Sequence, residues 1–394
     1  MEAANRSDSK EFEVGFLGFG VSSAALVLKE PERFSGKNIL IVDPNLESKQ
    51  KSLKIRGIDK NICSLGIEED LTGHDRVWTG WQIHLQGRRT LQGIRSYHCT
   101  KANHLMQKAY EILLKLSARL TVITGKASQV CSSEEGFSFL VDSISEEQNK
   151  IGCLEIFDSR NMDLSGQENK ILWQHFYGQE FEMEQAHGFE SPVLMDLYPS
   201  AKGLEFFYIL PLSPTKLFVE LTYFSKMASN QNWNYSDRLV SYVNKIGAVK
   251  SALRESIEKS RIPLISVINS IEQMNYYPLG ARSGKLRAAT GYSFAASYHH
   301  GIVRPKRITQ KVRSWFDGIF LRVLSSHPEL SFEVFEKFLK AMPASRLASF
   351  LSYQPQKSDY LFAVLAMPKI LFLKSVISKN RCQIRTEVEI NELV

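Results

Sequence analysis

Residues 13–43 read EVGFLGFGVSSAALVLKEPERFSGKNILIVD, and this segment sets the architecture of the first part of the chain. The apolar run Glu13–Leu17 predicts a short buried strand, and a glycine-rich turn follows it. The small and apolar residues after the turn predict a helix over residues 21–28. A second apolar strand is predicted at Asn38–Val42. The order strand, helix, strand is a β-α-β unit, which is typical of a parallel sheet.

The turn of this unit has the composition of a dinucleotide-binding loop. Gly18 and Gly20 allow a tight turn and a close approach of the backbone to a pyrophosphate, which the N-terminus of the following helix stabilises. Ser23 stands where such loops usually carry a third glycine. Asp43 ends the second strand, where a carboxylate can accept ribose hydroxyls. These four residues predict dinucleotide binding, and a turn without a ligand is the alternative.

The rest of the chain divides into a sheet region and a helical region. Between Trp173 and Tyr223, apolar runs alternate with turn residues, a pattern that predicts an antiparallel sheet. From Val312 to Leu324, apolar residues recur at the spacing of one face of an amphipathic helix. We therefore expect a helical C-terminal quarter.

Length, composition and charge exclude several classes of protein. The chain has 394 residues, 43% hydrophobic and 23% charged, so collagen-like and wholly disordered chains are excluded. Residues 301–394 carry 15 basic and 8 acidic side chains, whereas the two signs balance over residues 1–300. This excess favours an anionic partner, either a phospholipid surface or a nucleic acid. Nucleic acid is disfavoured because the glycine-aromatic patterns of common RNA modules are absent.

The sequence predicts a cytoplasmic protein without a metal site. The five cysteines are widely spaced and odd in number, they form no CxxC pair, and a reducing cytosol fits them best. Met1–Lys10 lacks the apolar core of a signal peptide. The longest apolar run, Tyr360–Met367, is far shorter than the roughly 18 to 20 residues that a membrane-spanning helix requires.

Three further features are candidates for site chemistry. The glycine-rich residues 280–284 and 290–293 could bring the backbone close to a flavin, or they could form two surface turns. Glu220 lies in an apolar strand, where burial would raise its pKa and let it act as a general acid, unless it faces solvent. Asp196 ends another apolar run, 192–195, and could be a second acid or a turn cap.

Taken together, these segments resemble the flavin-dependent lycopene cyclases of carotenoid biosynthesis, from about Glu13 to Lys379. The segments that carry the resemblance are Asp158–Arg160, Trp173–Glu180, Pro192–Asp196, Phe207–Thr215, Val219–Glu220, Gly280–Gly284 and Thr290–Ser293. The resemblance implies an α/β fold with a Rossmann-like FAD-binding domain, an interleaved antiparallel-sheet substrate domain and a helical C-terminal region.

The resemblance also implies the domain organisation. We expect an FAD-binding domain over residues 11–309, with substrate-binding segments inserted in it and a helical, membrane-contacting region after it. The expected bounds are FAD-binding segments near 11–60, 118–160 and 265–309, substrate-binding segments near 75–117 and 170–260, the helical region at 310–380, and flexible ends at 1–10 and 381–394.

The activity that the resemblance implies is the cyclisation of lycopene, or of a related linear carotene, to β-ionone rings without net redox change. Reduced FAD takes part, and NAD(P)H serves only as its reductant. Glu220 is the expected acid or base, with Asp196 as second choice. The expected cofactor-binding residues are Gly18, Gly20, Ser23, Asp43, Arg160, Gly284, Gly291 and Tyr292. Because the substrate dissolves in the bilayer, we expect peripheral contact with the cytoplasmic membrane and no obligate protein partner.

The chain departs from the family pattern at several positions. The family usually carries two adjacent acids at the Glu220 strand, whereas here the second is Leu221. A His-Pro pair is usual where this chain has Arg287 and Ala288. Residues 62–66 read Ile-Cys-Ser-Leu-Gly where the family tends to have a Trp-Ser-Phe-His segment. Two alternatives stay open: a flavin-dependent redox enzyme that acts on an isoprenoid, and a membrane-associated carotenoid-binding protein without catalysis, which Leu221 and the missing Trp and His suggest.

Overall fold

The structure, a computed structural model, describes most of the chain. The described residues are 12–49, 52–57, 59–65, 67, 69–143, 148–164, 166, 168–200, 203–226, 234–265, 273–302, 307–351, 356–367, 369 and 391–392. The predicted flexible ends, 1–10 and 381–394, lie outside these residues except for 391–392. Residues 370–380 of the predicted helical region also lie outside them.

The described residues form twenty strands and eight α-helices. The strands are β1 Phe12–Leu17, β2 Asn38–Val42, β3 Leu46–Lys49, β4 Ser52–Ile55, β5 Asn61–Leu65, β6 Arg76–Trp78, β7 Trp81–Leu85, β8 Arg88–Gly93, β9 Tyr97–Lys101, β10 Arg119–Ile123, β11 Gly125–Ser133, β12 Gly136–Ser143, β13 Gln148–Asp158, β14 Trp173–Met183, β15 Val193–Tyr198, β16 Glu205–Ser213, β17 Lys216–Ser225, β18 Val249–Pro263, β19 Tyr276–Pro278 and β20 Asn391–Glu392. The helices are α1 Val21–Lys29, α2 Ala102–Leu116, α3 Tyr235–Ile246, α4 Phe294–His300, α5 Arg307–Ser326, α6 Ser331–Ala341, α7 Ala344–Leu351 and α8 Lys357–Ala366.

The first sheet contains the β-α-β unit predicted from residues 13–43. Its strands follow the order β10-β2-β1-β13-β12-β11-β20, and β19 also pairs with β13. The strands β10, β2, β1 and β13 are parallel, so their carboxyl ends meet at one edge. Leu17, Val42 and Asp158 therefore lie side by side at that edge, and the turns that follow them converge. This edge is where ligands bind in open parallel sheets.

Helices α1 and α2 cover one face of the first sheet. Their apolar residues form one core with the sheet, in which Leu26, Leu105 and Ala109 are buried. Helix α2 falls within the predicted substrate-binding segment near 75–117 and packs on the first sheet; its assignment to substrate binding stays a prediction. The buried side of α2 complements α1, and a sequence pattern alone does not show which partner a helix selects.

The second sheet has the order β18-β14-β17-β16-β15-β7-β8, and all its pairs are antiparallel except β15 with β7. Helix α3 covers one face, where it packs against Leu217, Val219 and Leu221 of β17. Alternation along a strand sends Phe218 and Glu220 to the opposite face. That face, called the open face below, meets the small sheet β5-β9-β6 and the C-terminal helices.

Helices α5–α8 form the predicted helical C-terminal region. Their buried residues, among them Leu321, Phe338 and Leu347, join the core of the open face. Among the described residues, none of the helices is long and apolar enough to cross a bilayer.

Candidate active site

The first glycine-rich turn lies between β1 and α1 at the carboxyl edge of the first sheet. Gly18 has a φ of +81°, and a Cβ at this position would lie 2.8 Å from the Ser159 hydroxyl oxygen. Only glycine therefore fits. Ser23 is buried and donates its hydroxyl to the Gly18 carbonyl over 3.0 Å. Ser23, which replaces the usual third glycine, therefore holds the turn in place from within α1.

The end of α1 suits a pyrophosphate. Gly20 is the N-cap residue and has no side chain that could form a capping hydrogen bond. The first turn of α1 also carries no acidic residue. The space around a Cβ at Gly20 is open to 4 Å. The N–H groups of this helix end are therefore available to an anion, and the helix dipole favours one.

Asp43 lies beside this turn, as predicted. Its two carboxylate oxygens accept the Phe19 N–H at 2.9 Å and the Asn45 N–H at 2.8 Å. A carboxylate oxygen can accept a second hydrogen bond, so the group can still receive a ribose hydroxyl. The donor set at this edge therefore fits the ADP half of a dinucleotide such as FAD.

Arg160 lies next to the first turn but is already engaged. It pairs in two-pronged fashion with the fully buried Asp158, over 2.9 and 2.7 Å, and donates to the Ala127 carbonyl. Burial alone would raise the pKa of Asp158, but Arg160 and Arg282 outweigh it and hold the pKa below its ordinary value. The Asp158–Arg160 ion pair holds Ser159 next to Gly18. Arg160 therefore stabilises the conformation of the turn.

Removing the charge of Asp158 should destabilise the fold. We expect Asp158→Asn to lower the free energy of unfolding by about 2 kcal/mol at pH 7, because it leaves a partly buried guanidinium without its carboxylate. A carboxyl with a lowered pKa contributes stability above its unfolded pKa, and this stability is lost as the pH falls through the folded pKa. Urea titrations at pH 7 and in acid measure both effects, with exposed Glu134→Gln as control. Equal stability of variant and wild type at pH 7 would contradict this role.

The second glycine-rich segment lies against the first. Gly280 has a φ of +56°, and a Cβ there would lie 2.7 Å from the Ser22 hydroxyl of α1. Gly284 also adopts the left-handed conformation, and its carbonyl accepts a hydrogen bond from Arg313. Gly291 has a φ of +67°, and a Cβ on it would collide with Gln174 of β14. These glycines thus bring backbone close to both sheets, where a flavin would need it.

A cavity of about 660 Å³ lies against the open face of the second sheet. It is bordered by the small sheet, by the turn around Gly291 and by helices α5–α8, and it is open at one side. Its lining is mostly aromatic and aliphatic, with residues such as Phe206, Phe224, Phe320 and Phe338. This volume and lining suit a large apolar ligand.

Glu220 lies on the open face, directly opposite Tyr208 of β16. Burial raises the pKa of Glu220 to about 8, and the neighbouring Glu258 adds to the rise, while the Thr222 hydroxyl and Lys60 oppose it. Thr222 donates to a Glu220 carboxyl oxygen over 2.8 Å. The side chain is therefore mostly protonated at neutral pH, as a general acid must be.

Two tyrosines near Glu220 line the cavity. Tyr208 lines the cavity, and its hydroxyl is 2.9 Å from that of Tyr97, which lines it too. Burial raises the pKa of both hydroxyls, so they remain neutral. Tyr292, predicted as a cofactor-binding residue, also lines the cavity and donates its hydroxyl to the Cys63 carbonyl. Glu220 thus lies beside the tyrosine end of the cavity.

Asp196 lies on the other face of the second sheet. Its carboxylate accepts the Gly87 N–H at 2.8 Å and the Tyr242 hydroxyl of α3 at 2.6 Å. The side chain is fully buried there and ties the turn after β7 to α3. Neither carboxyl lines the cavity itself, but Glu220 is paired with Tyr208, which does, whereas Asp196 faces α3.

The family departures take defined positions. Leu221 is buried under α3, on the face away from the cavity. Arg287 is buried beside Asp317, with 3.8 Å between Nε and a carboxylate oxygen, and its guanidinium stacks on Phe350. Asp317 and Phe350 both line the cavity. Arg287 thus packs behind the cavity wall, against two of its residues.

Sequence reasoning missed some residues of the site. Tyr97 and Glu258 are far from Glu220 along the chain. The pairing of β18 with β14 brings Glu258 near Glu220, and the packing of the small sheet on the open face brings Tyr97 near it. Tyr97 follows Gly87–Leu91, a stretch that resembles an arginine-rich segment of the family, but nothing in the sequence placed it near Glu220. A disulfide between Cys63 and Cys99 was also missed. The two cysteines are far apart in the sequence but lie opposite each other where β5 pairs with β9.

Comparisons with known proteins agree with this geometry. The family described as "Lycopene cyclase protein" matches residues 64–375. A lycopene beta-cyclase from Pantoea ananas is 25% identical over 249 residues, which cover 57% of this chain and 64% of that protein. A lycopene beta-cyclase from Paracoccus sp. (strain N81106 / MBIC 01143) is 24% identical over 225 residues, 51% of this chain and 58% of that protein. The matches thus span less than two thirds of either relative.

A solved structure supports the fold. A flavoprotein/dehydrogenase from Cytophaga hutchinsonii superposes with a TM-score of 0.54 at 10% identity, over 92% of this chain and 99% of that one. The predicted fold class is confirmed: a Rossmann-like parallel sheet, an interleaved antiparallel sheet and a helical C-terminal region.

Proposed function

Because the chain belongs to the lycopene cyclase family, we propose that it cyclises the ends of lycopene, or of a related linear carotene, to β-ionone rings. One observation carries the proposal: Glu220, a carboxyl whose pKa is raised to about 8, is paired with Tyr208, and Tyr208 lines a large apolar cavity. The reaction needs an acid that keeps its proton at neutral pH and a pocket that excludes water. Glu220 supplies the acid, and the mostly apolar lining of the cavity offers few groups that would hold water.

Glu220 performs the acid and base steps in this proposal. Its proton adds to the terminal double bond of the substrate, and the positive charge comes to rest on a tertiary carbon. The neighbouring alkene then attacks this carbon and closes a six-membered ring. The Glu220 carboxylate takes up a proton from the ring, which creates the β-ionone double bond and restores the acid. One proton enters and one leaves, so the product is an isomer.

The cavity protects the cation from water. Aromatic and aliphatic side chains of helices α5–α8 form a large part of its lining, and the tyrosine hydroxyls near Glu220 stay neutral. A dry lining slows capture of the carbon cation by water. The faces of the aromatic rings also favour a nearby positive charge.

Gly18, Gly20, Ser23 and Asp43 would hold the ADP half of FAD, and the segment from Gly280 to Tyr292 would hold its flavin half. Bound FAD, kept reduced by NAD(P)H, would supply an electron-rich ring system that stabilises the cation. The residues fit, since the N-terminus of α1 is uncapped and the glycines with positive φ bring backbone close to both sheets. Within this scheme Arg160 positions the first turn.

We also propose that the mouth of the cavity rests on the membrane. An apolar patch there is formed by five side chains of α5 and α8 that are 39–59% exposed: Trp315, Leu361, Phe362, Val364 and Leu365. Trp315, Val364 and Leu365 also line the cavity, together with Lys369. Exposed apolar area with basic side chains nearby is typical of a surface that binds anionic lipid. The substrate could then pass from bilayer to cavity without crossing water.

Charges in this patch should prevent membrane binding. We expect the double variant Leu361→Glu and Leu365→Glu to float with vesicles of 70% phosphatidylcholine and 30% phosphatidylglycerol at least about tenfold less than wild type, because apolar burial is lost and acidic charge is added. Ile94→Glu is the matched control, since Ile94 is 91% exposed elsewhere. Unchanged flotation of the double variant would contradict the proposed surface.

Expression in a lycopene-accumulating bacterium tests the function. We expect chromatography of the pigment to show carotenes with β-ionone rings, in place of red lycopene. Pigment that stays uncyclised in cells containing the folded, flavin-loaded protein would contradict the proposal.

A further inference from the structure

Another carboxyl, Glu258 of β18, lies on the same face of the second sheet as Glu220. Both residues are paired with Gly178 of the central strand β14, Glu220 from one side and Glu258 from the other. Residues that share a row across neighbouring strands point to the same face. Glu258 is only 5% exposed, so its carboxyl is held within the protein.

Gly178 leaves the space between the two carboxyls without a side chain. A Cβ at Gly178 would lie 3.2 Å from the Glu220 Cβ and would also press on Phe218. The two backbones are two strand spacings apart, about 10 Å. Two glutamate side chains can lean towards each other over that gap, and the charge of Glu258 raises the pKa of Glu220.

The surroundings decide which carboxyl ionises first. Glu258 accepts the backbone N–H of Asn61 at 3.1 Å, and Lys101 and Lys60 favour its charged form. Glu220 has the Thr222 hydroxyl and Lys60. Glu258 thus has a backbone N–H and two cations that favour its carboxylate, whereas Glu220 has one hydroxyl and one cation. These contacts favour loss of the first proton from Glu258.

We propose, on the basis of the proposed cyclase function, that Glu258 is the positioning residue that keeps the Glu220 carboxyl protonated. Its carboxylate lies across Gly178 and makes ionisation of Glu220 unfavourable, since two close carboxylates do not readily ionise together. It takes the part of the second acid that the family usually carries next to the first. At that neighbouring position this chain has Leu221, which faces α3.

Other charged and titratable groups around the pair are the same in every variant of the test. They are Lys60 before β5, Lys101 and Tyr97 of β9, Glu180 of β14 and Tyr208 of β16. Lys101 pairs with Glu180 at 3.0 Å. A shift in the pKa of Glu220 that is caused by Glu258 can therefore be separated from the contribution of these groups.

The test is the pH profile of cyclisation by the flavin-loaded protein, from pH 5.5 to 9. We expect Glu258→Gln to move the alkaline limb about one pH unit lower, because Glu220 then ionises more readily. The rate would fall about tenfold at pH 8.5 and little at pH 6. Glu258→Asp keeps the charge and should restore most of the limb. Glu182→Gln, further along β14, is the control and should not shift it.

A uniform loss of rate at every pH, without rescue by Glu258→Asp, would overturn the proposal, because a structural role alone has that effect. A second measurement does not depend on activity. The infrared band of the protonated Glu220 carboxyl, identified by its absence from Glu220→Gln, is titrated in wild type and in Glu258→Gln. We expect a lower midpoint in Glu258→Gln, and an unchanged midpoint would overturn the proposal. If wild type forms no rings, the proposed function fails while this titration still decides the role of Glu258.

Discussion

Replacement of Glu220 by glutamine should lower the rate of ring formation by about 1000-fold or more, with the protein folded and flavin still bound. A positioned general acid typically contributes between about 100-fold and 10,000-fold, and here the same group also removes the final proton. Glutamine keeps the size and the hydrogen bond from Thr222 but has no proton to give. Single-turnover formation of cyclic carotene from lycopene in anionic vesicles measures the loss.

The stability of Glu220→Gln separates a chemical loss from a folding loss. The folded pKa of Glu220, about 8, is above its ordinary value, so the wild type loses stability as the pH rises from about 4.5 to about 8. Glutamine does not ionise, so the variant has no such loss. In urea titrations, the free energy of unfolding of the variant relative to wild type should therefore rise with pH over that range. Exposed Glu184→Gln, just after β14, is the activity control and should react normally. Ring formation at an undiminished rate in Glu220→Gln would remove this residue from the mechanism.

Replacement of Gly20 by aspartate should abolish flavin binding without unfolding the protein. Gly20 is the N-cap of α1 in an extended conformation, which suits an aspartate cap, and a Cβ there meets no atom within 4 Å. The melting temperature should therefore stay the same or rise slightly. The new carboxylate would occupy the position of the pyrophosphate, and like charges at about 4 Å cost several kcal/mol near a protein surface. We expect FAD affinity to fall by at least about 100-fold in fluorescence titrations.

The matched control for this variant is Gly36→Asp. Gly36 precedes β2, at the opposite edge of the first sheet, and a Cβ there also meets open space. It has a φ of +70°, which aspartate tolerates at a small cost in stability. This control should bind FAD as wild type does. Equal FAD affinity in wild type and Gly20→Asp would show that the turn at α1 is not the nucleotide site.

The sequence was sufficient for the parts of the fold that depend on local patterns. The apolar run before Gly18 and the run before Asp43 predicted β1 and β2, because buried parallel strands need continuous apolar residues. Glu220 was found since a single acid interrupts an apolar strand. The structure resolves the alternative that the pattern left open, as the side chain faces the covered side of the sheet and not the solvent.

The parts that escaped prediction depend on which elements meet. Glu258 lies in β18, a strand with many polar residues, and its burial comes from Asn61 and β14 on either side. Tyr97 reaches Glu220 only because the small sheet covers the open face. Asp196 looked like a second acid for the same reason as Glu220, and the side of the sheet on which it lies, facing Tyr242, is set by a register shift in β15. Long-range pairing leaves no local mark in the sequence.

Deuterium incorporation tests the central claim most directly. The purified protein is loaded with FAD, and the flavin is reduced by NADPH without oxygen. The protein is then incubated with lycopene in D₂O, and the mass of the product is measured by mass spectrometry. A protonated Glu220 that exchanges with solvent should place one deuterium in the product for each ring formed, with no stoichiometric use of NADPH. A product that has gained two hydrogens or an oxygen, or rings that carry no deuterium, would contradict proton-initiated cyclisation at this site.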